Sequence, residues 1–271
     1  MERGWDREAA VAGKFYSGSS PSLLKELEDY LQNKEPDSKI IAVMAPHAGY
    51  KYSGKIAAEA YRRLVPPKRA IILAPNHTGQ GSRISIWGKG VWRTPLGEAH
   101  VDEEGARWLL SQVQMGEGDR EAHRNEHAIE VHLPFLQFLN PEIQILPIVL
   151  SPLSPEYCEK MGRLLAELVR EEGSLLIAST DMSHYIPAER AKVLDKMALD
   201  RVVQIDGPGL YNVVVQQEIS MCGFIPTTCV LEALSALGGV EAELLKYGNS
   251  GEVTGDRDDV VGYASVAFRR Q

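Results

Sequence analysis

An α/β fold with one central, mostly parallel or mixed sheet flanked by helices is what three observations on this chain predict. Short apolar runs rich in β-branched residues alternate with stretches of helical period. The runs are apolar at nearly every position, as in strands covered on both faces. Three of them stop abruptly before a polar turn that carries a histidine. At 271 residues the chain exceeds the usual domain, but α/β folds of about 200–250 residues often close around one sheet, so a single domain over residues 1–271 is expected.

The first strand is expected at Ile40–Ala45, running into Pro46-His47. Ser53 reads as the N-cap of a helix over Gly54–Leu64, in which Ile56, Ala60, Tyr61 and Leu64 share a face. A second strand, Ala70–Ala74, leads to Pro75-Asn76-His77. The glycine-containing stretch Met115–Arg124 reads as a loop. Asn125 then reads as the cap of a hydrogen-bonded, solvated helix start that carries Glu126, His127, Glu130 and His132 up to a kink at Pro134. Met161–Glu171 presents Met161, Leu164, Leu165 and Leu168 on one helical face. A third strand, Leu175–Ser179, precedes Thr180-Asp181-Met182-Ser183-His184. Thr227–Leu237 is a helix that follows Pro226 and stops at Gly238-Gly239. Gly248–Asp259 reads as a loop, without the residue order of a phosphate cradle, and Val260–Arg269 as the last strand.

Composition narrows the function. Lys plus Arg number 29 against 37 Asp plus Glu, a net charge of −8 that repels polyanions, so nucleic acid is not an expected partner. Residues Met1–Ala12 are charged rather than apolar, and no run approaches the roughly 18 apolar residues of a membrane span. A cytoplasmic location with no membrane association is the expectation. Three cysteines, Cys158, Cys222 and Cys229, are too few and too odd for a disulfide framework and suit a reducing compartment.

Ligands of open α/β sheets bind beyond the carboxyl ends of the strands. His47, His77 and His184 follow three such ends and converge by topology. A lone strand-end histidine is more often a hydrogen-bonded loop residue than a ligand; the repetition favours a site. Gly49 and Gly54 free the turn around His47, and Tyr16, Tyr50 and Tyr52 either line that pocket or edge the core. Cys229 falls on an apolar helix face and reads as core, whereas Cys222 sits in a turn with Gly223 and is free to bind. His123-Arg124-Asn125-Glu126-His127 also matches the H-x-x-E-H signature of inverted zinc peptidases, which needs both histidines on one continuous helix. Asn125 as a cap would leave His123 outside that helix. His127 and His132 are five apart, about 140° around a helix, and do not share one ion.

Several of these motifs together resemble the Memo family. They are Arg7-Glu8 with Val11 to Tyr16, Pro46 to Gly54, Pro75-Asn76-His77, Thr94 to Gly97, Glu126 to Phe135, Asp181 to His184, Met221-Cys222-Gly223 and Val261 to Ala264. The form is similar to its prokaryotic branch, the B protein of the AmmeMemoRadiSam system, over nearly the whole chain.

That resemblance implies a fold like the class III extradiol dioxygenases, whose iron is held by two histidines and a carboxylate. It implies a metal held by His47, His77 and Cys222, with His184 as acid/base residue and Asp181 beside it; the spacing of three residues suggests that Asp181 orients the His184 ring. It also implies roles around the ion or substrate for Glu126, His127 and His132, and Tyr52 is the pocket tyrosine that adds a further substrate-side candidate. Glu126, Glu130 and Asp181 are the carboxylates available to accept a ring N–H from a metal-binding histidine. A soft thiolate in place of a hard carboxylate shifts the metal preference toward copper, zinc or thiolate-bound iron.

One mononuclear ion, iron or copper with zinc as the alternative, is therefore expected in a metal-dependent redox enzyme acting on a small molecule or peptide. A metal- or peptide-binding scaffold without turnover and a zinc peptidase are the competing functions. Functional association with a radical-SAM enzyme and an AMMECR-like protein follows from the resemblance alone.

Overall fold

The computed structural model describes residues 5–113 and 116–271, arranged around one mixed sheet. In chain order the first elements are α1 (Ser20–Tyr30), β1 (Ile40–Ala45), α2 (Tyr50–Tyr61), β2 (Arg69–Pro75), β3 (Ile84–Ile86), β4 (Val91–Thr94) and β5 (Gly97–Val101). Next come α3 (Glu103–Gln112), β6 (Gly116–Gly118), α4 (Glu121–Arg124), α5 (Leu133–Leu139), β7 (Gln144–Leu150), α6 (Pro155–Leu168) and β8 (Ser174–Ser179). The chain closes with β9 (His184–Ile186), α7 (Ala188–Val203), α8 (Gly207–Gln216), α9 (Phe224–Leu237), β10 (Val240–Asn249), α10 (Gly251–Thr254) and β11 (Val260–Arg270).

The strand order is β10-β11-β1-β8-β2-β7-β3-β6. Neighbours among β1, β8, β2 and β7 run parallel, β11 is antiparallel to β1, and β3 is antiparallel to β7. Side chains of a strand alternate between faces, and here both faces are covered. Ala42 and Met44 of β1, Ile71 and Leu73 of β2 and Leu176 and Ala178 of β8 enter one core with α6 and α9. Val43 and Ala45, Ala70 and Ile72, and Leu175 and Ile177 enter the other with α1, α2 and α5. This two-sided burial is why the strands read as unbroken apolar runs rather than as alternating ones. Among the described residues no helix is long and apolar enough to cross a membrane.

Several expected boundaries move, each because of a contact distant in sequence. Ser53 does not cap α2, which begins at Tyr50 with Gly49 as its N-cap. The amide of Tyr50 donates to the carbonyl of Phe15, so the N-terminal segment satisfies a free end of the helix, while Ser53 Oγ donates back to Ala48 O from inside it. The helix expected over Met161–Glu171 starts earlier, at Pro155, and ends at Leu168. The helix expected from Thr227 starts at Phe224 and carries Pro226 in its first turn, where a missing N–H costs nothing. Gly116–Gly118 is strand β6 paired with β3, not loop, and Asn125 ends α4 rather than opening a helix. Met115 lies outside the described residues. Within Gly248–Asp259, β10 reaches Asn249 and α10 adds a short turn of helix.

Candidate metal centre

The parallel pairing sets the carboxyl ends of β1, β8 and β2 side by side, with Ala45 opposite Ser179 and Leu73 opposite Ala178. His47 and His77 each lie two residues beyond their strand, and Asp181 lies two beyond β8. Cys222 is delivered by the turn before α9. Gly223 makes this possible, because a Cβ there would collide with the Ser179 carbonyl and the Thr180 side chain. Its amide donates to Thr180 Oγ1 at 3.0 Å, which ties the cysteine turn to the end of β8. One ligand atom from each of His47, His77 and Cys222 falls within 4.8 Å of the other two, and Cys222 Sγ is 3.2 Å from His47 Nε2.

Both imidazoles are held from behind through Nδ1, leaving Nε2 for the site. His47 Nδ1 meets Ser179 Oγ at 2.7 Å, and its amide donates to Asp181 Oδ1 at 2.8 Å. His77 Nδ1 meets Glu126 Oε1 at 2.9 Å, and its amide donates to Glu126 Oε2 at 2.6 Å. Glu126 therefore takes the ring proton of a candidate ligand. Glu130 does not: it is fully buried and accepts instead from Arg7, Tyr16 Oη and the amides of Ala10 and Val11. Asp181 binds the backbone of His47 rather than a ring N–H. The expectation of a solvated helix start fails here, since Glu126, Glu130 and His132 are all buried.

Electrostatics keep His47 and Cys222 neutral in the metal-free protein. Burial, reinforced by His127 and His77, lowers the pKa of His47 well below the usual imidazole range. Burial also lowers His77, but the hydrogen bond and charge of Glu126 outweigh it and the net shift is upward. Burial raises the Cys222 thiol, and the neighbouring Asp181 raises it further, so without an ion the sulfur keeps its proton. Burial pushes Asp181 up to about 6 against the hydrogen bond from His47 that favours its anion.

The other expected residues divide clearly. His184 lies outside the three-ligand group; its ring Nδ1 binds the Ser220 carbonyl at 2.8 Å, so Ser220, not Asp181, orients it. His127 sits beside His77 with ring centroids 4.9 Å apart and Nδ1 3.4 Å from Glu126 Oε1. His77, Glu126 and His127 form a second cluster with metal-ligand atoms, but the two Nδ1 atoms share one carboxylate oxygen and the rings are nearly parallel at 17°, which describes a hydrogen-bonded group. His132 lies deeper, between Tyr61 and Ser179. Tyr52 is half-exposed on α2, whereas Tyr16 and Tyr50 are core residues bonded to Glu130 and to the Val131 carbonyl.

His123 is buried against Trp87 and Trp92, with Nε2 on the Ser85 carbonyl. Because α4 ends at Arg124, His123 and His127 do not share a continuous helix, and His123 joins neither metal-binding group. The zinc peptidase arrangement is not formed.

Two contributors had no expected role. Ser179 anchors His47; the one polar residue closing an apolar strand was its signal. Arg7 is buried and donates to the carbonyls of His123 and Glu126 and to Glu130, clamping the turn that carries Glu126. Nothing in its local sequence marks that reach.

The match to known proteins now bears on this geometry. A family model described as Memo-like protein matches residues 7–267. The chain belongs to the Memo family. A MEMO1 family protein of Methanosarcina mazei is 42% identical over 264 residues, covering 96% of this chain and 98% of that one. Another, from Aquifex aeolicus, is 41% identical over 265 residues, covering 97% and 98%. The crystal structure of uncharacterized protein JW3007 from Escherichia coli K12 is similar at a TM-score of 0.55 and 13% identity, covering 83% of this chain and 99% of that one, a likeness of fold. The donors of this Memo-family chain suit a metal: two imidazoles and a thiol on three separate turns, each imidazole backed by a hydrogen bond through its other nitrogen.

Proposed function

We propose that this Memo-family protein holds one metal ion through His47 Nε2, His77 Nε2 and Cys222 Sγ and acts as a metal-dependent oxidoreductase on a small molecule or peptide. The observation that carries the reading is the convergence of these three donors within 4.8 Å beyond the strand ends. Iron or copper is the preferred ion and zinc the alternative, because a thiolate is a soft donor. Iron or copper, when bound, would supply one-electron chemistry, which zinc would not. The residues around it do the rest. Asp181, raised to about 6 beside the thiol, is poised to hold or release a proton near neutral pH. His127 and His184, both close enough to act on the His47 charge, are the imidazoles available to substrate.

The fold resemblance to class III extradiol dioxygenases supports oxidative chemistry by analogy. The thiol in place of a carboxylate favours a second reading, in which the pocket carries a soft metal without turnover. We also place the protein in the cytoplasm, where its free cysteines stay reduced, in functional association with a radical-SAM enzyme and an AMMECR-like protein.

Anaerobic purification and elemental analysis test the binding claim. About one equivalent of iron, copper or zinc is expected in the wild type and in His123→Ala, and none in His47→Ala or His77→Ala. Metal lost from His123→Ala alone would contradict the reading. Turnover of a small aromatic or peptide substrate by the loaded protein separates enzyme from carrier.

A further inference from the structure

Behind His47 runs a chain of hydrogen bonds whose proton directions follow from counting donors and acceptors. Ser179 Oγ lies 2.6 Å from the Ala128 carbonyl oxygen, 2.7 Å from His47 Nδ1 and 2.8 Å from His132 Nε2. A carbonyl only accepts, and two oxygens at that separation with no hydrogen between them repel. The single Ser179 proton therefore points at Ala128. Both imidazoles must then donate into the two lone pairs of Oγ. With its proton on Nε2, His132 has an Nδ1 that only accepts, and the Tyr61 hydroxyl 2.7 Å away is its donor. Tyr61, His132 and Ser179 are all buried, so every one of these groups needs its partner within the protein.

We propose that Ser179 is a positioning residue that locks His47 in its Nδ1-protonated tautomer by giving its own proton to Ala128. This keeps the Nε2 lone pair bare and turned toward Cys222, while Tyr61 sets His132 to fill the second lone pair of the same hydroxyl. None of the three reaches the site itself. If the Ser179 proton were not held on the Ala128 carbonyl, the hydroxyl would be free to turn to His47 Nδ1. The His47 proton would then move to Nε2, the atom needed for an ion. His77 keeps its Nδ1 proton by other means, because the Glu126 carboxylate can only accept. The use of the lock rests on the metal-binding reading above, but the tautomer is a property of the metal-free protein.

Long-range 1H–15N correlation spectra of the imidazole rings in metal-free protein at neutral pH read it directly. His47 should be protonated on Nδ1 alone and His132 on Nε2 alone. Ser179→Ala, which removes the acceptor of the His47 Nδ1–H, should convert the His47 signal to a mixture of tautomers and weaken binding of added zinc by about 10–100-fold. Ser179→Thr, which keeps the hydroxyl, should retain both the tautomer and the zinc affinity. A wild-type His47 protonated on Nε2 overturns the proposal, whether or not zinc binds, and needs no variant to fold. An unchanged His47 tautomer in folded Ser179→Ala also overturns it. Expected tautomers in a wild-type protein that binds no zinc would fault the metal reading and leave the tautomer assignment standing.

Discussion

Arg7→Met should be among the most destabilising single substitutions in this protein. The guanidinium is 2% exposed and bonds Glu130 at 2.7 Å, the Glu126 carbonyl at 2.7 Å and the His123 carbonyl at 2.8 Å, while lying 4.1 Å above the Trp92 ring. Methionine keeps part of the packing but leaves the Glu130 carboxylate buried without its counter-charge. Tyr16 and two backbone amides still donate to that carboxylate, so the loss falls short of a bare ion. Breaking a buried pair by removing one partner costs about 3–5 kcal/mol. At roughly 2–4 °C per kcal/mol for chains somewhat shorter than this one, the melting temperature should fall by about 6–20 °C. Calorimetry or urea unfolding of Arg7→Met, Glu130→Gln and the double variant reads this. The double variant should recover part of the loss, because it leaves neither charge alone. A loss under about 1 kcal/mol in Arg7→Met, the scale of an exposed pair, would refute the buried-pair account.

Three further outcomes follow from the site. His123 is driven down to about 3 by burial and the Arg7 charge, so from pH 6.5 toward 3 the unfolded chain binds a proton the folded one refuses and stability falls with pH. That amounts to about 2 kcal/mol at pH 5, and His123→Phe should flatten the pH dependence of the urea midpoint by that much; an unchanged slope would contradict a neutral buried ring. Glu126→Gln should weaken metal binding by about 10–100-fold in a calorimetric titration and lower the His77 pKa by removing its carboxylate partner, and equal affinity would deny Glu126 its role. In mass spectrometry after iodoacetamide, Cys222 should label slowly in the metal-free protein, because its thiol is held protonated, and not at all with metal; buried Cys158 and Cys229 should stay unlabelled in both. Equal Cys222 labelling with metal bound would argue against a thiolate ligand.

Much of the sheet was legible because its cause is local. Ile40–Ala45 is apolar at each position since both faces of β1 are buried, and the polar turn after it is where the strand leaves the core. The ligand set came from the motifs of the resemblance, with strand ends giving His47 and His77 a common location. Distant contacts were illegible. Ser53 looked like a cap because nothing near it shows that Phe15 bonds the true start of α2. Asn125 looked like a helix start because its neighbours are polar, yet Arg7 and Tyr16, more than a hundred residues away, draw Glu130 and its turn into the core. Asp181 seemed placed to orient His184 by spacing alone, whereas the fold brings Ser220 to that ring and leaves Asp181 to the His47 backbone.

X-ray absorption at the edge of the bound metal, for wild type and Cys222→Ser, tests the central claim most directly. The account predicts a first shell with one sulfur near 2.3 Å and at least two nitrogen or oxygen scatterers near 2.0–2.1 Å, values of order those for zinc, with the sulfur absent from Cys222→Ser. A wild-type first shell of nitrogen and oxygen alone would contradict it.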